Sequence, residues 1–180
     1  RKVLTAAGIA HTETGAPISI HPGIWDVPRK RLAREANMYL DILLKQGVNL
    51  EKVYLSHMDF YTSEKDHIKY HTGLLDEYDV NFGYDGFGQE WHVDQYFPGC
   101  RFPTDAERVN SIIELLEMGY ENRFMFSMDI AGKGLLYKKY GGYGYAHVLK
   151  HIIPWLRNLD VSQKQIDTVL IDNPRRIIQC

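Results

Sequence analysis

Apolar residues alternate along this chain between two patterns. Short runs of strand type cover residues 16–21, 52–57, about 78–85 and 122–129, and the segments between them carry apolar residues at helical spacing. A helix is predicted over 2–14, with Val3, Leu4, Ala7 and Ala10 on one face and Gly15 as its stop; His11 falls at its solvated or core edge. A second, long helix is predicted from Pro28, with Leu32, Ala36, Leu40 and Leu43 as its buried stripe and Gly47 at its end. Ser63 with Asp66 reads as a capping pair for a helix running to about Glu77. Thr104 with Glu107 forms a capping box ahead of Val109, Ile112, Ile113 and Leu116, and that helix stops at Gly119. A last long helix is expected over about 144–157, with Tyr145, Val148, Leu149, Ile152 and Leu156 in phase and a bend at Pro154. Ser162 with Gln165 caps a shorter one, and Asp172-Asn173-Pro174 starts a final turn.

The order is therefore β then α, four times, within one domain spanning 1–180. The strand endings carry the chemistry. The first run ends at His21, the second at His57 with Asp59 two residues on, the third at Asp85 and the fourth at Asp129. From His21 to His57 is 36 residues and from His57 to Asp129 is 72, one and two units of a repeat of about 30 to 40 residues. Functional side chains on the carboxyl ends of successive parallel strands are how a (β/α) barrel builds its site. A closed barrel has eight strands and about 250 residues, so four units make half of one. The open edges of such a half must be covered. The preferred expectation is an upstream barrel half in a longer protein, since the chain begins at Arg1 rather than Met. The alternative is closure by a second copy of the chain.

Two imidazoles and a carboxylate are an ordinary ligand set for zinc or another divalent first-row ion. Such an ion lowers the pKa of a bound water towards 7 and polarises a carbonyl or phosphoryl group. Asp129 is the candidate catalytic base as well as a ligand, and Asp59 and Asp85 are candidates for orienting the ligands from behind. His67 with His71, and His147 with His151, lie four apart on helices and read as solvated faces. The run Gly132-Lys133-Gly134 is not a phosphate loop, because no Ser or Thr follows the lysine. Residues 86–103 and 130–143 form long loops rich in glycine and aromatics. From these, Trp91, Tyr96, Phe97, Lys133 and Tyr137 are the candidate substrate contacts.

Bulk properties narrow the class. The formal charge of −2 argues against nucleic acid as a partner, and no apolar run approaches the 18 residues of a membrane span. A small-molecule substrate is expected instead. Cys100 and Cys180 form no framework and Cys100 carries no nucleophile signature, which fits a reducing cytoplasm.

Taken in order, Thr14-Gly15-Ala16-Pro17 leading to Ile20-His21, Leu55-Ser56-His57-Met58-Asp59, Ser127-Met128-Asp129-Ile130, Tyr140-Gly141-Gly142-Tyr143-Gly144-Tyr145 and Asp172-Asn173-Pro174-Arg175-Arg176 resemble the phosphotriesterase family of the amidohydrolase superfamily. The similarity covers essentially the whole chain and is strongest to the phosphotriesterase-related branch. It implies a TIM-type (β/α)8 barrel, of which this chain supplies strands five to eight, and a binuclear centre, usually zinc. The implied reaction is hydrolysis of lactones, esters, amides or organophosphate triesters. By that match His21 and His57 are ligands of the second metal, while Asp129 is a ligand of the first and handles the proton of the attacking water. A His-x-His pair and a carboxylated lysine of the family have no counterpart in this chain. Where some members carry a basic residue after the strand-seven aspartate, this chain has Gly86. Two rival readings remain: a non-catalytic half-barrel that binds a ligand or partner, and a mononuclear iron oxygenase using the same two histidines and one carboxylate.

Overall fold

The computed structural model describes residues 1–23, 25–26, 31–32, 34–91, 98 and 101–179, with backbone alone at 25–26 and 31–32. Helix α1 (Lys2–Thr14) ends at Gly15, whose φ of 72° closes the helix through its N–H on His11 O. Strand β1 (Ile18–Ile20) follows, and a hairpin of β2 (Trp25–Asp26) and β3 (Arg31–Leu32) comes next. Helix α2 covers Ala36–Leu44, and β4 covers Val53–Leu55. A 3-10 turn at Met58–Ser63 leads to α3 (His67–Glu77), then β5 (Asn81–Tyr84), α4 (Asp105–Glu117) and β6 (Phe124–Phe126). The short helix α5 (Lys133–Leu136) precedes a C-terminal helical run of α6 (Ile153–Asn158), α7 (Gln163–Asp167) and α8 (Asn173–Ile178).

The main sheet has the order β1-β4-β5-β6, every pair parallel. Chain order equals spatial order, so each crossover helix returns the chain to the next strand and all four strands run the same way. All four carboxyl ends therefore lie on one rim. β5 is buried along its whole length, as expected of a parallel strand covered on both faces. Its helix-facing side chains pack with Leu40 and Leu43 of α2, Leu74 of α3 and Val109, Ile112 and Leu115 of α4 in one core.

Four predicted elements differ. The helix expected from Pro28 begins only at Ala36; Leu32 belongs to the hairpin, where Arg31 and Leu32 pair with Asp26 and Trp25, and Pro28 lies outside the described residues. Ser63 does not cap α3. It closes the preceding 3-10 turn, and the Asp66 carboxylate accepts from Arg34 at 2.6 and 3.0 Å instead. Tyr145 lies ahead of the last long helix and Leu149 is exposed, because the turn Val148–Ile152 is π-helical. Ile153 N–H reaches back five residues to Val148 O, which accommodates Pro154, a residue with no N–H to give. The same device at Thr168–Asp172 carries the helix through Pro174, so Asp172-Asn173-Pro174 continues a helix rather than starting a turn. Both capping boxes form, at Thr104 with Glu107 and at Ser162 with Gln165.

Candidate metal and active site

His21, His57, Asp85 and Asp129 directly follow, or lie within three residues of, the ends of β1, β4, β5 and β6, on the common rim. The imidazoles of His21 and His57 meet edge to face, ring centroids 4.4 Å apart. His21 Nδ1 is 3.0 Å from the Pro22 carbonyl, which requires an N–H at Nδ1. His57 Nδ1 donates to Asp85 Oδ1 at 2.7 Å. With both Nδ1 atoms serving as donors, the neutral form of each ring carries its lone pair on Nε2, the atom that could bind an ion. A carboxylate behind a metal-binding histidine fixes tautomer and orientation in this way.

The backbone shows where the site is constrained. Among the described residues three non-glycines have positive φ, and two of them are His57 at 60° and Asp129 at 39°. A left-handed residue with a β-carbon costs about 1–3 kcal/mol and persists only where its surroundings hold it. At His57 the holding group is Asp85, whose two oxygens also accept the His57 N–H at 3.1 and 3.2 Å.

The electrostatics follow from this packing. Burial alone pushes the His57 pKa down, but its hydrogen bond to Asp85 and the charges of Asp85, Asp129 and Asp59 outweigh that and raise it. Burial raises Asp85 to about 6 against the pull of His57. The Asp129 carboxylate is exposed, near enough to be felt by His57, and its main-chain carbonyl accepts from Gln89 Nε2 at 3.1 Å. Two free imidazole nitrogens and a nearby carboxylate fit one edge of a metal centre. They do not close one: among the described residues no three His, Cys, Asp or Glu side chains converge closely enough to hold an ion.

Asp59 does not touch His57. It is fully buried, and its oxygens accept the N–H groups of Asp85 at 3.1 Å and Gly86 at 3.0 Å together with Arg108 Nε at 2.6 Å. Gly86 has no room for a side chain, since a β-carbon there would lie 2.7 Å from Asp59 Oδ2 and 3.0 Å from Arg108 Nη2. The basic group at this place comes from helix α4. Trp91 is partly exposed and rests on Phe102, centroids 5.5 Å apart. Lys133 opens α5 in solvent, and Tyr137 is exposed against Tyr140. Tyr96, Phe97, Cys100 and Cys180 lie outside the described residues.

The sequence reading did not single out Arg108, Gln89 or Asp105, and it took His147 for a solvated residue. The solvated-face reading of the helical histidine pairs holds only for His151, which is exposed: His71 is fully buried against Phe82, and His147 Nε2 donates to Asp105 Oδ2 at 2.7 Å. The one available signal was the basic residue four after the Thr104 cap on the apolar side of α4, one residue before Val109.

The model of the Phosphotriesterase family matches residues 1–178. An N-acetyltaurine hydrolase of Danio rerio is 37% identical over 180 residues, covering 98% of this chain and 47% of that protein. Among solved structures, a resiniferatoxin-binding protein from Rhodobacter sphaeroides superposes with a TM-score of 0.82 at 30% identity, over 97% of this chain and 45% of that one. The phosphotriesterase homology protein from Escherichia coli, complexed with phosphate in its active site, gives 0.78 at 31% identity, over 99% of this chain and 53% of that one. The chain thus spans about half the length of the curated relatives it matches. A parallel four-stranded sheet with helices outside and a histidine-bearing carboxyl rim is one half of a TIM-type barrel, and the chain belongs to the phosphotriesterase family.

Proposed function

We propose that this chain supplies the C-terminal half, strands five to eight, of a zinc-dependent hydrolase. The observation that carries this reading is the His21–His57 pair, with both Nδ1 atoms engaged and both Nε2 atoms left for an ion on the carboxyl rim. Zinc, when bound there, would lower the pKa of a water and polarise the group under attack. His21 and His57 would hold one ion, and Asp129 would ligate the other and accept the proton of the attacking water. Asp85 keeps His57 in its binding tautomer throughout. Trp91, Tyr96, Phe97, Lys133 and Tyr137 would line the substrate side.

The family admits ester, lactone, amide and phosphotriester bonds. The relatives named N-acetyltaurine hydrolase support an amide of a small acylated amine as the first substrate to try, and Lys133 offers a cation for an acidic group on that amine. Those relatives are hydrolases, so a purely non-catalytic half-barrel is not the favoured reading.

The test is made with both halves of the barrel present. Metal analysis should find about two zinc ions per barrel, and His57→Ala should lower amide hydrolysis by at least 100-fold. Unchanged turnover in His57→Ala would refute the assignment. Retention of iron with oxygen consumption would support the oxygenase instead.

A further inference from the structure

We infer that Arg108 is a positioning residue for the metal-binding rim: from helix α4 it fixes the loop that in turn fixes both His57 and Asp129. The inference rests on the metal reading above and goes beyond it. Arg108 is completely buried, and each of its three side-chain nitrogens donates a hydrogen bond. Nε donates to Asp59 Oδ2 at 2.6 Å, Nη1 to Asp105 Oδ1 at 3.0 Å, and Nη2 to the Gln89 carbonyl at 3.1 Å. The two carboxylates it joins are the ones that hold the β5 loop by its amides. Asp59 accepts from Asp85 and Gly86, and Asp105 accepts from Gly88 at 2.8 Å. Gln89 N–H closes on the Gly86 carbonyl at 3.0 Å. Four amides between 85 and 89 are thus committed, three to carboxylates that Arg108 ties together and one within the loop.

The outward side of the same loop faces the rim. Its first residue, Asp85, takes both the N–H and the Nδ1–H of His57. Its last, Gln89, donates to the main-chain carbonyl of Asp129. One short loop therefore supports the two rim residues with strained backbones, and one guanidinium supports the loop. A lysine has the charge but not the planar fork needed to reach two carboxylates and a carbonyl at once. An asparagine at 59 keeps one acceptor but turns an amino group towards donors.

Zinc affinity, read by competition with a chromophoric chelator in the complete barrel, separates positioning from mere stability. Arg108→Lys and Asp59→Asn are expected to weaken zinc binding by about 10- to 100-fold. Tyr84→Phe, which deletes a buried hydroxyl bonded to Ser111 on the helix side of the sheet, serves as the comparison. It should lower the melting temperature while leaving zinc affinity within about twofold. Zinc affinity within twofold of the parent in both Arg108→Lys and Asp59→Asn would overturn the inference; if Arg108→Lys fails to fold, Asp59→Asn decides alone. His57→Ala anchors the series. Loss of zinc there with none in Arg108→Lys or Asp59→Asn rejects the role of Arg108 and keeps the metal site, whereas unchanged zinc in His57→Ala rejects the metal site itself.

Discussion

The loops that follow β5 and β6 contribute to the same rim and are built in opposite ways. The β5 loop is buried: Phe87 packs edge to face on Phe126 with centroids 5.3 Å apart, Arg108 lies behind it, and the Tyr143 ring sits where a β-carbon of Gly88 would go. The loop after β6 lies in solvent from Ala131 to Gly134 and again from Tyr137 to Gly141. On the proposed reading, the groups that would hold an ion's ligands in place sit on the first, and side chains that would suit a substrate sit on the exposed part of the second. Substitutions in the first should change folding and metal affinity together, and those in the second beyond Asp129, from Ala131 to Gly141, should change substrate preference with little effect on either.

The largest expected effect is Arg108→Met. Two buried carboxylates, Asp59 and Asp105, would lose their shared cation, and breaking a buried ion pair from one side costs about 3–5 kcal/mol. Urea unfolding measures it; a loss below about 1 kcal/mol would show that the β5 loop is not held as described. Next comes acid sensitivity on the helix side of β5. Burial, with His67 and Arg34 adding to it, pushes the His71 pKa from 6.5 down to about 3. A histidine depressed in the folded state contributes stability above pH 6.5 and loses it as pH falls towards 3. At about 1.4 kcal/mol per pH unit, moving from pH 6.5 to 4 should remove about 3 kcal/mol. The slope should flatten in His71→Gln, and an identical slope in that variant would contradict the burial argument.

Glycines sharpen the contrast at smaller scale. Gly88 has φ of 77° and faces the Tyr143 ring, so Gly88→Ala should cost about 1–3 kcal/mol. Gly132, at φ −159° with open space beside it, should accept alanine within about 0.5 kcal/mol. Equal costs at the two positions would erase the difference between the loops. Smallest in stability is Tyr137→Ala, within about 0.5 kcal/mol because the ring is half exposed; its expected effect is on KM and on the ratio between amide and lactone substrates.

The same division decides what the sequence could reveal. Strand ends, capping boxes and the βα period depend on local residue type, so His21, His57, Asp85 and Asp129 could be placed on one rim from spacing alone. The hairpin at Trp25–Asp26 and Arg31–Leu32 replaced a predicted helix because pairing between segments outweighs helical periodicity. Arg108 was easily overlooked for a related reason. Its partners Asp59 and Gln89 are 49 and 19 residues away, and a basic residue on a helix is ordinarily read as solvated. Asp66 resembled a cap until Arg34, 32 residues upstream, claimed its carboxylate. Chemistry held by long-range partners appears only once the chain is folded.

On the proposed function, His21 and His57 bind an ion through their Nε2 atoms. Zinc-edge X-ray absorption on the complete barrel tests it directly. Imidazole scattering with Zn–N of about 2.0–2.1 Å is expected, and it should fall in the His21→Ala/His57→Ala double variant. A spectrum unchanged by that double substitution would contradict it.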